Sequence, residues 1–343
     1  MFNVRHSWVL LAAAGCFMAA CNKSNSDDEE VGNWIRRSTL EGPARGEAVS
    51  FVIGDRAYIG TGYDGTYRLK DFWYYNQTSN SRTQVADLPG SARNNAVGFA
   101  VGAKGIVATG YDGVNRLNDT WVYDADKDVW TAGAAFTGTA RYGATAFAIG
   151  PKGYVTCGYD GNYLKDFYAY DTSSTGGAWT KLEAFGGEKR AYAAAFVIDS
   201  KAYVVTGANP NTGQTLSVND IWMFDPASTL ANKWTEKRKI SNVSTEDYDN
   251  DYDIVSSKCA AFVMNNKGYL ATGSKSGLTT NVWEYDPISD LWDQKRSFEG
   301  LARSGAVGFS INNRGYVALG TSSSLPFEDL WEFDPSAEYN END

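Results

Sequence analysis

Residues 92–130 read ARNNAVGFAVGAKGIVATGYDGVNRLNDTWVYDADKDVW, and this stretch decides the fold. It contains an apolar run at Ala96–Val101, a second run at Ile106–Thr109 and a third at Thr120–Tyr123, followed by Trp130. Short apolar runs of period two, separated by glycine-rich turns, predict β-strands. The stretch therefore predicts three antiparallel strands and the start of a fourth.

The same unit recurs six times along the chain. Three columns of equivalent residues define it: a phenylalanine in the first run, a glycine after the second run and an aromatic residue in the third. The phenylalanines are Phe51, Phe99, Phe147, Phe196, Phe262 and Phe309. The glycines are Gly62, Gly110, Gly158, Gly207, Gly273 and Gly320. The aromatic residues are Trp73, Trp121, Tyr168, Trp222, Trp283 and Trp331. A repeat of about 50 residues built of short strands indicates a propeller.

Two further columns carry charge. A basic residue opens each unit, at Arg45, Arg93, Arg141, Arg190, Lys258 and Arg303. An acidic or amide residue precedes the third strand, at Asp71, Asp119, Asp166, Asp220, Asn281 and Asp329. Because a role repeated in every unit belongs to the architecture, we expect the second column to be structural. The basic column is expected to combine hydrogen bonding with ligand binding.

These columns resemble the kelch-repeat family over about Asn33–Pro335. The resemblance implies an all-β, six-bladed kelch-type β-propeller with four antiparallel strands in each blade. We expect Trp34–Arg37 to supply the outer strand of the last blade and so to close the ring. The outer strand of the first blade, near Thr83–Ala86, lacks a tryptophan. Kelch blades usually carry a Gly-Gly pair after the second strand, and the first glycine is replaced in every unit here. Residues such as Thr109 at that place suggest that the strand continues through it.

Composition narrows the function. The chain has 343 residues, a net charge of −10 and one histidine. The negative charge argues against a nucleic-acid partner. His6 lies in a leader segment, so the processed chain would lack imidazole for copper or zinc sites and for Ser–His catalysis. We expect no cofactor and a monomer, with Cys157 and Cys259 as buried free thiols.

The first residues predict a bacterial lipoprotein. Residues 1–20 have the weak positive charge and short apolar run of a signal peptide. Met18–Cys21 resembles a lipobox with Cys21 as the lipidated residue; Cys16 is the competing site. Residues 21–32 form an acidic tether, residues 33–335 the propeller and residues 336–343 a polar tail. The acidic cluster after Cys21 resembles the surface-export signal of Bacteroidetes lipoproteins. The expected location is therefore the outer membrane, on the cell surface, with a plain linker and a periplasmic face as the alternative.

The expected topology places the loops before the first strand and after the second strand on one face. In a propeller the first strand lines the axis, so this face surrounds the mouth of the central channel. Candidate ligand-binding residues on it are Arg45, Arg93, Arg141, Arg190, Arg303, Tyr63, Tyr111, Tyr159, Arg68 and Arg116. The Gly-Tyr-Asp-Gly motif occurs at residues 62–65, 110–113 and 158–161, in the first three units alone. Repeated glycines and aspartates there are expected to shape turns, whereas the differences between units favour the tyrosine-rich half as the binding surface.

One long insertion, Ser241–Ser257, separates the fourth and fifth units. It carries the alternating aspartates Asp247, Asp249, Asp251 and Asp253. Alternating carboxylates are hard ligands suited to Ca²⁺, but the glycine and glutamate of an EF-hand loop are missing. We therefore expect an acidic solvated lid, with calcium as the weaker alternative.

Three functions follow from these features. The first is a non-catalytic module, anchored through Cys21, that engages a glycan or a protein on the face described above. The second is a sugar epimerase or mutarotase, since N-acetylneuraminate epimerases are similar six-bladed kelch proteins. That chemistry needs a proton donor and acceptor, and the sequence shows no carboxylate unique to one blade and directed at the axis. The third is a structural spacer in an assembly.

Overall fold

The computed structural model describes residues 32–39, 42–174, 176–210, 218–241 and 254–340. These residues form six four-stranded antiparallel sheets arranged in a ring, together with a two-stranded ribbon. The expected all-β, six-bladed β-propeller is confirmed. No helix in the described ranges has the length and apolar character needed to cross a bilayer.

The strands are named in chain order, and the four strands of each blade are called a to d from the axis outward. The first three blades contain β2 Val49–Ile53, β3 Arg56–Gly60, β4 Phe72–Asn76, β5 Ser81–Val85, β6 Val97–Val101, β7 Lys104–Ala108, β8 Thr120–Asp124, β9 Val129–Ala132, β10 Thr145–Ile149, β11 Lys152–Thr156, β12 Phe167–Asp171 and β13 Ala178–Leu182. The other three contain β14 Ala194–Ile198, β15 Lys201–Val205, β16 Ile221–Phe224, β17 Trp234–Glu236, β18 Ala260–Met264, β19 Lys267–Ala271, β20 Val282–Asp286, β21 Leu291–Lys295, β22 Val307–Ile311, β23 Arg314–Ala318, β26 Leu330–Asp334 and β1 Asn33–Arg36. The ribbon is β24 Thr321–Ser322 with β25 Leu325–Pro326.

The N-terminal strand closes the ring. β1 pairs antiparallel with β26, with Trp34 opposite Phe333, so the last blade takes its outer strand from the start of the described chain. Trp34 is fully buried, stacks on Phe333 at 4.6 Å and meets Phe298 edge-on at 4.9 Å. This confirms the predicted closure, shifted by one residue. In blade one Arg82 lies opposite Tyr75, in the register position that Trp130 occupies opposite Tyr123 in blade two.

Neighbouring blades are held together by interlocking aromatic residues. Phe51 on strand a stacks on Tyr58 of strand b at 5.4 Å, and Tyr58 in turn contacts Tyr123 of the next blade at the same distance. The Phe51 ring also lies over Gly105 of that blade, where a Cβ atom would come within 2.2 Å of it. Burial of such rings supplies most of the hydrophobic stabilisation of a propeller.

The residue before each column glycine is not in strand conformation. Its φ is +59 to +65°, and the six residues are Thr61, Thr109, Cys157, Thr206, Thr272 and Leu319. The expectation that the strand continues through this residue is therefore wrong. A left-handed backbone explains why glycine is usual there, since side chains are strained in it. In five blades the strained residue's carbonyl accepts a hydrogen bond from a buried arginine, at 2.9–3.1 Å.

The two sets of loops predicted to share a face do so. Backbone bridges join the loop before strand a to the loop after strand b within one blade, as between Asn94 and Tyr111 or between Tyr142 and Tyr159. Further bridges, such as Leu69 to Arg93, join one blade to the next. We call this side of the ring the upper face. The a–b and c–d turns lie on the lower face.

Candidate functional site: the upper face

The opening arginines belong to the framework. Each is at most 1% exposed, and its guanidinium forms a two-pronged ion pair with the aspartate before strand c of its own blade. The pairs are Arg45–Asp71, Arg93–Asp119, Arg141–Asp166, Arg190–Asp220 and Arg303–Asp329, with Nη2 2.6–2.8 Å from Oδ2. A ligand could reach these guanidiniums only after the pairs opened. We therefore correct the sequence-based expectation for the five arginines: they stabilise the loops, and the aspartate column is structural as predicted.

The ion pairs also set the charge state of their aspartates. Burial alone would raise the pKa of Asp71, but the hydrogen bonds and charge of Arg45, with a further bond from Trp73, hold that pKa below its usual value. Asp119 is in the same position beside Arg93 and Trp121, and its pKa is also lowered. Both carboxylates are thus kept ionised by partners that are themselves buried.

Blade five breaks this pattern. The backbone carbonyl of each opening residue accepts a hydrogen bond from the amide of the column glycine in the preceding blade. This carbonyl belongs to Arg93, Arg141 and Arg190 in blades two to four, and to Ser256 in blade five. Ser256, rather than Lys258, is therefore the equivalent of the opening arginines. The sequence-based assignment of Lys258 to that column is wrong by two residues. The aspartate is replaced by Asn281, so this blade lacks both members of the ion pair.

Lys258 belongs instead to a ring around the axis. Six residues, each two positions after the opener, have φ of +51 to +65°, and the backbone amide of each donates to the carbonyl of the preceding member at 2.8–3.1 Å. The members are Glu47, Asn95, Gly143, Tyr192, Lys258 and Gly305. Their backbones repeat, whereas the residue is Glu, Asn, Tyr or Lys in four blades and glycine in the other two. The ring therefore presents four different polar side chains at the mouth of the channel.

Polar side chains of this ring and the neighbouring Asn94 form a cluster that we call the axial cluster: Glu47, Asn94, Asn95, Tyr192 and Lys258. The Glu47 carboxylate forms an ion pair with Lys258 through Oε1 and accepts from Asn94 at 2.5 Å and Asn95 at 2.7 Å through Oε2. The Lys258 ammonium lies 4.7 Å from the centre of the Tyr192 ring. Glu47 is thus a carboxylate unique to one blade and placed at the axis, which overturns the expectation that the sequence contains none.

The cluster fixes the protonation of its own members. Burial would raise the pKa of Glu47, but Lys258 and the two asparagine amides hold it below the usual value, so the carboxylate is ionised. Burial, with the neighbouring Tyr142 and Glu47, raises the pKa of the Tyr192 phenol, which stays protonated. The mouth therefore offers an ionised acceptor beside protonated donors. The cavity at this mouth has a volume of about 160 Å³.

Beside the axial cluster lies a surface that we call the Tyr/Arg belt: Tyr63, Arg68, Tyr111, Arg116, Tyr142 and Tyr159. The guanidinium of Arg68 lies between two tyrosines, 5.1 Å from the centre of Tyr63 and 4.9 Å from that of Tyr111. Arg116 repeats the arrangement one blade further on, at 5.4 Å from Tyr159 and 6.0 Å from Tyr142. Arg68 also donates to Asn94 of the axial cluster at 3.1 Å, which joins the two groups.

Sequence reasoning identified most of the belt but missed Tyr142. Its ring is 5.4 Å from that of Tyr111, 5.6 Å from Tyr159 and 6.4 Å from Tyr192, so it links the belt to the axial cluster. Tyr142 follows directly after the opening Arg141. The residues one and two places after each opener differ among blades, and they lie in a loop that the sequence places at the axial mouth. This difference among blades was the signal that could have identified Tyr142.

The remaining motif residues shape the loops. The Tyr63 hydroxyl donates to the Gly65 carbonyl and that of Tyr111 to Gly113, both at 2.8 Å. The Asp112 carboxylate accepts from the amides of Val114 at 2.8 Å and Asn115 at 2.6 Å, and these bonds lower its pKa. Asp64 and Asp160 accept equivalent backbone amides. These are Asx turns, as predicted for the repeated aspartates.

Two other sequence expectations concern the calcium candidates and the cysteines. The calcium candidates Asp247, Asp249, Asp251 and Asp253 lie outside the described residues. Among the described residues, no group of three His, Cys, Asp or Glu side chains is placed to hold a metal. Cys157 is buried and Cys259 partly exposed; both are free thiols, and burial raises the pKa of each to about 11.

The comparisons with known proteins support the fold. No family profile matches the chain, and no curated protein matches it. Among solved structures the chain is similar to one described as the structure of YjhT, with a TM-score of 0.69 over 86% of this chain and 95% of that one, at 17% identity. A likeness at this identity establishes a shared six-bladed β-propeller architecture. Function must be argued from the upper face itself.

Proposed function

We propose that this protein is a non-catalytic binding module whose Tyr/Arg belt and axial cluster take an anionic, hydroxyl-rich ligand, in particular a glycan that carries a carboxylate. The observation that carries the proposal is the state of Arg68 and Arg116. Neither forms an ion pair with any described residue, whereas the five opening arginines are all paired. Both lie in blades one and two, on the tyrosine-rich half of the face, whose motif the other three blades lack.

The belt has the chemistry that such a ligand needs. A planar guanidinium recognises a carboxylate through two parallel hydrogen bonds, and stacking on tyrosine keeps it oriented before the ligand arrives. Tyrosine faces offer flat apolar surface for the apolar side of a sugar ring. Glu47, Asn94 and Asn95 supply an acceptor and amide groups for hydroxyls. The cavity at the mouth, at about 160 Å³, adjoins a further section of the central channel of about 280 Å³, and Ala96, Ala144 and Ala193 line both. We expect a sugar to rest on the belt, with a substituent entering this channel.

The test is a binding screen of the purified protein against neutral and acidic oligosaccharides, followed by calorimetric titration of any sugar that binds. Arg68→Gln combined with Arg116→Gln removes both unpaired cations of the belt. Arg56→Gln is the matched control, because Arg56 is an exposed arginine stacked 4.7 Å over Tyr74, with its strand starting at the lower face. We expect acidic sugars to bind to the wild type and to the Arg56→Gln control. We expect the variant with both Arg68→Gln and Arg116→Gln to lose this binding. Equal losses in the double variant and the control would refute it.

A protein partner is the other ligand class that the upper face suits. A loop presenting aspartate or glutamate would use the same arginines, and tyrosine and arginine are enriched where proteins bind one another. Co-purification through the wild type but not through the double arginine variant, together with silence in the sugar screen, would assign the belt to a protein ligand.

A sugar epimerase or mutarotase is the second candidate, and Glu47 is the observation that favours it. Opening a sugar ring needs a base that takes the proton of the anomeric hydroxyl and an acid that protonates the ring oxygen. Glu47 is an ionised acceptor, and Lys258 and Tyr192 are nearby donors. The lowered pKa of Glu47 makes it a weak base, and three partners already occupy three of the about four acceptor positions of its carboxylate. Binding without catalysis is therefore the leading proposal.

Exchange between sugar anomers distinguishes the two functions. Two-dimensional NMR exchange spectroscopy of a bound acidic sugar would show faster interconversion of anomers if the protein is a mutarotase. Glu47→Gln would then abolish the acceleration while the sugar still binds. If the anomers exchange at the rate of the free sugar, the protein is a binding module without mutarotase activity.

The proposed location follows from residues 1–31, which lie outside the described part of the chain. We propose lipidation of Cys21 and display on the outer membrane, with the acidic tether between lipid and propeller. Metabolic labelling with a fatty acid should mark the wild type and not Cys21→Ser. Protease added to intact cells should degrade a surface protein and spare a periplasmic one.

A further inference from the structure

A large cavity lies between two blades, remote from the upper face. It has a volume of about 520 Å³ and opens between blades three and four. Its walls include the aromatic side chains of Tyr154, Phe167, Phe224 and Trp234. It also touches the a–b turn at Gly150 and the c–d connection of blade four, which belong to the lower face. Both its volume and its apolar lining are in the range of small-molecule sites.

A small residue lies in the wall of this cavity. Strand c carries, opposite the middle residue of strand b, a side chain that fills the space beside the neighbouring blade. The residues at this register position are Tyr74, Val122, Ala169, Met223, Glu284 and Glu332. Ala169, opposite Tyr154, is the smallest of the six. A gap opened by one alanine is a packing cost unless something occupies it.

A second departure from the repeat converges on the same place. The c–d connection has four residues in blades one, two and five, at 77–80, 125–128 and 287–290, six in blade three, at 172–177, and nine in blade four, at 225–233. Pro226, Ala231 and Lys233 of this longer connection line the cavity. A small residue in one blade and a long loop in the next are independent changes. The repeat architecture does not explain why these two changes border the same cavity.

The rim carries a cation without an acidic partner. Lys233 donates from Nζ to the Pro226 carbonyl at 2.5 Å and forms no ion pair with a described residue. Lys152 also lies at the rim, 3.5 Å from Asp171, with both side chains partly exposed. Glu183 is the acidic residue of the lining and is exposed. The negatively charged end of a ligand would therefore be best placed beside Lys233.

We propose that this cavity, the blade 3/4 cavity, is a second ligand site that binds an amphiphilic small molecule with an apolar body and an anionic end. The body lies against Tyr154, Phe167 and Trp234 in the space left by Ala169. The anionic end lies at the rim beside Lys233. This inference is independent of the function proposed for the Tyr/Arg belt, because the two sites share no residue.

Sodium dodecanoate, titrated calorimetrically below its micellar concentration, tests the proposal. We expect saturable binding of one molecule per chain. Each buried methylene contributes about 0.8 kcal/mol, so dodecanoate should bind about fifteenfold more tightly than decanoate. Non-saturable uptake, or equal affinity for the two chain lengths, would overturn the site.

Two variants locate the ligand. Ala169→Met introduces the residue that blade four has at the equivalent position and should weaken dodecanoate binding at least tenfold. Its thermal unfolding should show an intact fold. Lys233→Gln, a surface change, should weaken dodecanoate about fivefold and leave dodecanol unaffected. Unchanged dodecanoate binding in a folded Ala169→Met variant would refute the location, and unchanged binding in Lys233→Gln would refute the anionic end.

Discussion

The framework ion pairs allow a quantitative test of how the upper face is held. Asp119→Asn would leave the guanidinium of Arg93, which is 0% exposed, without its counter-ion. Removing one partner of a buried pair costs about 3–5 kcal/mol, because the other charge remains desolvated. The Asp119 side chain is 37% exposed, whereas that of Asp220 is 7% exposed. We therefore expect a loss of about 3 kcal/mol for Asp119→Asn and of about 5 kcal/mol for Asp220→Asn.

Blade five supplies the matched control, because it has Ser256 and Asn281 in place of the pair. The double variant Arg93→Ser with Asp119→Asn copies that combination into blade two. Since no charge is then left buried, its loss should be smaller than the sum of the two single losses by about 2 kcal/mol or more. Urea unfolding followed by circular dichroism measures the free energy of unfolding of the wild type, Arg93→Ser, Asp119→Asn, the double variant and Asp220→Asn.

The result that would refute this reasoning is additivity. If the double variant lost the sum of the single losses, the arginine and aspartate would act independently. A loss below about 1 kcal/mol for Asp220→Asn would show that the guanidinium finds solvent on its own. Either outcome would reopen the question of whether the opening arginines are available to a ligand.

Three further predictions concern the ring and its acid stability. Trp34→Ala should lower the free energy of unfolding by about 3–5 kcal/mol, since Trp34 is fully buried where the ring closes; chemical unfolding measures it. Gly110→Ala should lower the free energy of unfolding by about 2 kcal/mol, because φ at this residue is +109° and the new Cβ would lie 3.0 Å from that of Ala96. Ala→Gly changes on exposed loops serve as controls. The pKa values of Asp71 and Asp119 are lowered by folding, so the unfolded chain binds their protons more tightly and acid favours unfolding. Their contribution to the free energy of unfolding should be complete above about pH 5 and should be lost as the pH falls below about 4. A pH series of urea titrations on the wild type and on Arg93→Ser with Asp119→Asn would show the part that belongs to Asp119.

Much of the fold was predictable because six copies reinforce one pattern. The phenylalanine and glycine columns located the strands, and the surplus strand piece at Trp34 required a partner in the last blade. The long insertion before blade five disturbed the alignment, so Lys258 was placed where Ser256 belongs. The strained threonines were misread, since sequence shows that Thr109 favours strands but not that its backbone is left-handed.

The site was predictable in part. The tyrosines and Arg68 and Arg116 stood out because they occur in some blades and not in others. The opening arginines attracted attention through their charge, yet whether a charge is buried depends on a partner about 26 residues away, such as Asp119 for Arg93. Glu47 was missed because a glutamate beside a repeated arginine looks like ordinary loop sequence. Its position at the axis follows from the backbone ring, which no local pattern reveals.

The most direct test of the central claim is a cycle between one ligand group and one side chain. A glucuronate-terminated and a glucose-terminated oligosaccharide, identical otherwise, are titrated into wild type and Arg116→Gln by calorimetry. If the belt recognises the carboxylate, wild type should prefer the acidic sugar by at least about fivefold, or about 1 kcal/mol, and the variant should lose most of that preference. An equal preference in both proteins, or no binding of either sugar, would contradict the assignment of the Tyr/Arg belt to an acidic glycan.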